Sequence, residues 1–430
     1  MRGSCLILGD VPENTEIGID MKFWRVGQNF KGIKDIPVGF HYVYFSAVNA
    51  DHISGQRVGF AAWFTEAGFT AKKWQPQEED FIDVNLSTED CQRLEDNYDE
   101  VSVYLGPYPS ESHRDWVALT NLVSPLTVTR LLPSCGRVFS CTQFLSQPSS
   151  SQQRLAAKAD RPDPSTVSSP EDLLPKLEVI PGTELQFTDL PKVPLFPPNS
   201  SPMEITANSL DRTFTLETVI SALSRPESDQ NVPNSAKTLS SGERELLAEL
   251  QFCYVTFLLN HVMDGWYQWR RIVQLLANCE RAITLRPQFY TSLITVLYHQ
   301  LANAAGSDGD SAKSGEQSVE CGASPAELAD LFFSEATSSA GGPVEPAFLP
   351  SVLRSLLRNI MAATSSDDGN SAELADLRQR AEGFACSLNR RFGWGFNLES
   401  LKHESEKSEL LVDDVDWDGD EAPVVVETNE

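Results

Sequence analysis

Three groups of residues in the 430-residue sequence are of types that do chemistry. The first is a thiol with a base: Cys253, followed by His261 and later by His299, the pairing that supports nucleophilic catalysis. All three fall in a region that reads as helical. There the eight residues from Cys253 to His261 turn through about 800°, which leaves the two side chains about 80° apart and about 12 Å along the axis. They do not meet, and Cys253, inside a continuous apolar run, reads as an inert buried thiol. His299, in Leu297-Tyr298-His299-Gln300-Leu301, reads as a histidine hydrogen-bonded within a packing seam. The second group is acidic. Asp413 to Glu421 (DDVDWDGDE) has the composition of a cation loop but lacks the spacing and terminal Glu of a calcium site, so it reads as solvated tail. The third is aromatic. Trp266, Tyr267 and Trp269 are of the types that line pockets or anchor partners, yet their helical spacing on an apolar stripe assigns the two tryptophans to a core.

No GxxxxGK[ST], GxGxxG, HExxH, GxSxG or EF-hand loop occurs. The six histidines, at 41, 52, 113, 261, 299 and 403, do not cluster at metal-ligand spacing. Neither a cofactor nor a metal is expected, and the chain does not read as an enzyme. Eight scattered cysteines without a CxxC pair fit a reducing compartment and buried thiols.

Two further features point to regulation and binding. Ser169, Ser201 and Ser324 each precede proline in segments expected to be flexible, which makes them candidate phosphosites, where phosphate adds about −1.5 to −2 charges. Near the C-terminus, Ala422, Pro423, Val424, Val425, Val426 and Glu427 form a β-branched triplet inside an acidic tail. Such residues gain nothing in a solvated tail. They suit an extended peptide that adds a strand to a partner's sheet, or else one that pairs with an edge of the chain's own N-terminal domain.

The elements around these residues change character along the chain. From Cys5 to about Val103, β-branched and aromatic runs are broken by glycine and proline, with strands expected at Cys5 to Leu8, Phe23 to Val26, His41 to Val48 and Arg57 to Thr65. Turn signals stand at Pro37-Val38-Gly39 and Ser54-Gly55. Tyr42-Val43-Tyr44-Phe45 has no polar face, so this strand must be covered on both sides. A helix capped by Ser87 with Asp90, and another carrying Trp116, Leu119, Thr120 and Val123 on one face, close the domain. Between Pro148 and Pro202 lie 11 of the 26 prolines, which exclude helix and central strand, though Val179 to Leu190 keeps enough apolar residues to lie ordered on a surface. Beyond it the period becomes helical. Glu243 to Asn260 is apolar nearly all round, and Val262, Trp266, Trp269, Val273 and Leu276 form a stripe. Further helices carry Phe289, Leu293, Leu297 and Leu301, then Leu353, Leu356 and Ile360, then Leu377, Ala381, Phe384 and Leu388. The Gly, Ser and Asp-rich stretches Gly306 to Gly322 and Thr364 to Asn370 read as solvated insertions.

The expected class is α+β: a β-rich sandwich or small barrel over 1–145, a Pro/Ser-rich linker over 146–205 with an ordered stretch near 179–190, a helical domain over 206–400, and an acidic tail over 401–430 with a strand-forming segment at 422–427. Lys and Arg number 34 against 61 Asp and Glu, so a net charge of −27 repels phosphate backbones and excludes general nucleic-acid binding. The short pairs Arg270-Arg271 and Arg390-Arg391 read as solvated helix faces. No apolar run is long and clean enough to span a bilayer, and the start lacks a signal-peptide core.

Several segments together resemble the Aar-two family of spliceosomal U-five particle assembly factors. They are LILGDVPENTEIGID (Leu6 to Asp20), WRVGQNFKGIKDIPVGFHYVYFSAV (Trp24 to Val48), PGTELQFTDLP (Pro181 to Pro191) and ELQFCYVTFLLNHVMDGWYQWRRIVQLL (Glu249 to Leu276). LITVLYHQL (Leu293 to Leu301), RRFGWGF (Arg390 to Phe396) and APVVVE (Ala422 to Glu427) follow in family order. The chain departs from the pattern at the single Pro37, where paired prolines are expected, and in a longer 306–322 region. The resemblance implies a β-rich domain followed by a VHS-like helical domain and no catalysis. It implies binding to the C-terminal RNase H-like and MPN/Jab-type domains of the large U-five snRNP scaffold protein (Prp-eight type), delaying helicase and RNA docking. It also implies a cytoplasmic and nuclear protein, with no direct nucleic acid or membrane partner, that is a monomer when free. A VHS-type adaptor in membrane traffic is the competing expectation, on fold analogy.

Overall fold

The β-branched and aromatic runs of the first third fold into two five-stranded sheets packed face to face. A computed structural model describes residues 3–49, 53–66, 68–144, 179–224, 239–302, 348–364 and 372–397. By the density of its contacts the chain divides into two units, Met1–Thr188 with Ala248–Gln268, and Asp189–Leu247 with Trp269–Glu430.

In the first unit the strands are β1 (Ser4–Gly9), β2 (Glu16–Ile19), β3 (Lys22–Arg25), β4 (Gly32–Ile36), β5 (Gly39–Val48), β6 (Ser54–Phe64), β7 (Phe69–Gln75), β8 (Asp80–Val84), β9 (Leu105–Pro107) and β10 (Val138–Phe139). One sheet has the order β8-β7-β1-β4-β9 and the other β10-β6-β5-β2-β3. Leu6, Leu8, Ile33, Trp74 and Phe81 of the first meet Ile17, Val43, Phe45, Phe60 and Phe64 of the second in one core. The ring of Phe45 stands edge-on to Phe81 at 4.8 Å. The arrangement is a sandwich, because two sheets contribute opposing faces.

Strand β5 is buried on both sides, as its composition requires. Val43 and Phe45 enter the inter-sheet core, while Tyr42 and Tyr44 fill the reverse face. Two glycines make room for them: a Cβ on Gly59 would lie 2.2 Å from the Tyr42 hydroxyl, and one on Gly18 would lie 2.2 Å from the Tyr44 ring. Helices α1 (Thr88–Asp96), α2 (Tyr98–Ser102), α3 (His113–Thr120) and α4 (Pro125–Leu131) follow the strands. Ser87 and Asp90 cap α1 reciprocally, and Trp116 of α3 stacks on Phe40 while donating its indole N–H to the Phe40 carbonyl at 2.7 Å.

The helical residues are α5 (Pro202–Leu210), α6 (Thr213–Leu223), α7 (Ser241–Asn260), α8 (Met263–Ala277), α9 (Glu280–Leu285), α10 (Pro287–Leu297) with a π turn at Tyr298–Ala302, α11 (Phe348–Ala363) and α12 (Ala372–Phe392). Helix α7 is buried at every residue from Leu246 to Asn260, which explains a sequence that is apolar all round. Trp269 is fully buried in its unit and donates to Gln300 Oε1 at 2.9 Å. Helices α10 and α12 pack together, burying Phe289, Leu293, Phe384 and Leu388.

Three expectations change. Ser54-Gly55 is not a turn; both residues open β6. Pro202, at the end of the stretch excluded from helix, is the first residue of α5, because proline costs nothing where the N–H is unpaired anyway. Strands β2, β4, β7 and β8 go beyond those expected. Their short, charge-containing sequences, such as FTAKKWQ in β7, hide the alternation: Lys72 is buried, its ammonium set over the Phe60 ring and paired with Asp83. The 306–322 and most of the 364–370 segments lie outside the described residues.

Candidate partner-binding site

Of the residues singled out from the sequence, Ala422 to Glu427, Ser169 and Ser324 lie outside the described residues. Ser201 does not sit in featureless linker. It is the N-cap of α5, its hydroxyl accepting the Glu204 N–H at 3.3 Å while Glu204 Oε2 accepts the Ser201 N–H at 2.7 Å. Those bonds, the backbone one foremost, hold the Glu204 carboxyl below its usual range. The signal was present as Ser-Pro-x-Glu, a capping box with proline at the first helical position.

The thiol-and-base pair does not assemble. Cys253 is fully buried, and burial, with Glu249 nearby, pushes its thiol pKa well up, opposite to what a nucleophile needs. His261, at φ +57°, ends α7, and its Nε2 lies 3.3 Å from Arg57 Nη1. Burial and the Arg57 charge push its pKa down to about 4. Trp266 is buried and stacks on Phe257 at 5.1 Å, which places it in the core, whereas Tyr267 is exposed.

Two buried polar clusters escaped the sequence reading. In the first, Asp20, at φ +53° between β2 and β3, accepts from His41 Nδ1 at 2.6 Å, the Tyr108 hydroxyl at 2.7 Å and the Tyr42 N–H at 2.9 Å. Burial first, and then the Asp20 charge, drive the Tyr108 hydroxyl pKa upward. An Asp–His pair suggests a catalytic base, but His41 Nε2 faces the Pro37 carbonyl at 2.9 Å, where a nucleophile would have to stand. The cluster is a brace joining β2, β5 and the segment after β9.

The second cluster centres on Glu249 of α7, fully buried within the first unit. Its Oε1 accepts the Thr188 N–H and Gln268 Nε2, both at 2.9 Å. Its Oε2 accepts Arg130 Nη1 at 2.9 Å and the Thr188 hydroxyl at 2.5 Å. One carboxylate therefore ties α4, α7, α8 and the segment ending at Thr188. At the start of that segment Ile180 N–H donates to Gln143 O at 2.8 Å.

Beside that stretch lies a cleft of about 250 Å³, lined in part by Phe139, Cys141, Gln143, Leu185, Met263 and Asp264. It contains no histidine. Among the described residues no group of three His, Cys, Asp or Glu side chains is placed to hold a metal, and no helix is long and apolar enough to cross a membrane.

The geometry thus offers braces and surfaces, and the sequence is similar to those of known proteins. Residues 2–133 match the AAR2 N-terminal domain and residues 187–397 the AAR2 C-terminal repeat region. The Homo sapiens and Macaca fascicularis proteins called "Protein AAR2 homolog" are each 30% identical over 404 residues, covering 92% of this chain and 91% of theirs. The Caenorhabditis elegans protein of the same name is 26% identical over 407 residues, covering 92% of this chain and 96% of its own.

Proposed function

This chain belongs to the AAR2 family, and from that membership we propose that it acts in pre-mRNA splicing, as a non-enzymatic assembly chaperone of the U-five snRNP. In this reading it binds the C-terminal RNase H-like and MPN/Jab-type domains of the large Prp-eight-type scaffold and delays helicase and RNA docking, in the cytoplasm and nucleus, as a monomer when free. The supporting observation is a match through both family regions at 92% coverage of the chain. A net charge of −27 agrees with a protein that occupies RNA-facing surfaces and repels RNA itself.

The tail segment Val424 to Val426 serves as a hook that adds a strand to a sheet edge of the scaffold, its main-chain hydrogen bonds supplying affinity and alternate valines entering apolar pockets. Phosphate on Ser169, Ser201 or Ser324 weakens the complex by repulsion. Co-purification at physiological salt tests the reading: the U-five scaffold should be recovered with the chain, and recovery of sorting-signal cargo without scaffold would replace it with the membrane-traffic reading. Deleting residues 422–430 should weaken capture of the isolated scaffold domains at unchanged melting temperature. A melting temperature several degrees lower with unchanged affinity would assign the strand to the chain's own fold.

A further inference from the structure

Helix α5 contains no buried residue, and its large apolar side chains face outward: Met203 is 83% exposed and Leu210 80%. Met203, Ala207 and Leu210 recur at i, i+4 and i+7, one continuous stripe along the helix. Three of its polar side chains spend their donors on the helix's own carbonyls. Thr206 Oγ1 donates to Pro202 O at 3.0 Å, Asn208 Nδ2 to Glu204 O at 2.9 Å and Ser209 Oγ to Ile205 O at 2.8 Å, so the surface left to an approaching molecule is mainly apolar.

A nine-residue helix is too short to be stable alone in water, and this one is held in place at its ends. The Ser201–Glu204 capping box fixes its start. Upstream, Leu195 N–H donates to Thr215 Oγ1 at 2.9 Å. Downstream, Asp211 accepts the N–H groups of Thr213, Glu280 and Arg281, and Arg212 N–H donates to Asn278 O at 2.9 Å. The chain presents α5 already formed, which lowers the ordering cost of binding.

We propose that α5 is a docking helix whose Met203–Ala207–Leu210 stripe enters a concave apolar groove with a basic rim on the scaffold bound by this chain; the identity of that partner rests on the reading above. Exposure on all sides suits a groove, which wraps a helix, better than a flat face. A second copy is a poor occupant. Two helices of roughly 14 Å length cannot approach the ~1,200 Å² that a stable interface buries. The only charge on α5 is Glu204, and the whole chain carries −27, so the complementary rim is basic and an anionic membrane is repelled.

The test uses the full chain, the variant Met203→Gln with Leu210→Gln, and the purified RNase H-like and MPN/Jab-type domains of the scaffold. Glutamine keeps helix propensity and adds no charge. The double variant should bind about tenfold more weakly or worse, a loss of about 1.4 kcal/mol, at unchanged melting temperature, and amide exchange at 204–210 should slow in the wild-type complex. Equal binding by wild type and variant, with no slowing, overturns the docking helix and leaves the assembly reading intact. Wild type that fails to bind at all overturns both. A variant that melts several degrees lower shows the stripe packing on its own chain and overturns the proposal. So does self-association, or binding to phosphatidylcholine–phosphatidylserine vesicles, that the variant loses.

Discussion

Replacing Glu249 by alanine removes one carboxylate from under four donors. Arg130 loses its ion pair, Thr188 loses the acceptors of both its N–H and its hydroxyl proton, and Gln268 loses an acceptor. Removing one partner of a buried ion pair costs about 3 to 5 kcal/mol. At about 2 to 4 °C per kcal/mol for a unit of roughly 200 residues, the melting temperature should fall by about 6 to 20 °C. Glu249→Gln should fall between wild type and alanine, since its one oxygen can serve only half the donors and its amide NH2 must face the rest; the loss of charge-assisted bonds is about 1.5 to 3 kcal/mol. Thermal denaturation gives the global effect, and hydrogen exchange at Thr188 the local one. If Glu249→Ala melts within about 1 °C of wild type, or the Thr188 amide stays equally protected, the carboxylate does not tie that segment to the helices and the reasoning fails.

Trp266→Ala should destabilise by about 3 to 5 kcal/mol, as truncation of a buried aromatic does, measured by denaturant titration; unchanged stability with lost partner binding would move Trp266 to an interface. A thiol-specific probe on the folded protein should label the exposed Cys135, Cys141 and Cys386 and spare the buried Cys253 and Cys279, read by peptide mass analysis, and early Cys253 labelling would revive a thiol enzyme. His261 takes up its proton in the unfolded chain near pH 6.5 but in the folded one only near 4, so stability falls as pH drops through that window. His261→Asn, which tolerates the left-handed backbone, should flatten the decline, and an unchanged slope between pH 6.5 and 4 would refute it. Val425→Pro should remove a ladder donor and weaken scaffold binding, whereas Val425→Ile should leave the titration unchanged.

Much of the fold was legible because burial on both sides leaves a mark. The unbroken run Tyr42 to Phe45 and the all-round apolar Leu246 to Leu259 required cover on every side, and both are covered. Polar residues inside such runs were less readable. Glu249, Gln251 and Asn260 interrupt α7, but their partners Thr188, Asn121 and the Val138 carbonyl lie 61 to 130 positions away, beyond the reach of periodicity. Asp20 and His41 were likewise unremarkable, because their pairing depends on a left-handed turn and a sheet register that the residue types do not announce. Helix α5 was missed for the opposite reason: with nothing buried, it has no core-facing stripe to betray it, only its cap.

The order β8-β7-β1-β4-β9 places the first strand of the chain in the middle of its sheet, antiparallel to β4 and parallel to β7. During synthesis β1 therefore emerges with neither neighbour made, and at about 5 to 20 residues per second it waits about 3 to 12 s for β7. Until then Cys5 to Leu8 is an apolar segment with both edges open, the kind that nascent-chain chaperones cover. The same placement makes the sheet depend on β1. Without β1 this sheet keeps only the pairs β8-β7 and β4-β9, and a two-stranded pair is at best marginal in water by itself. Cleavage that removes β1 should therefore lower the amount of folded protein.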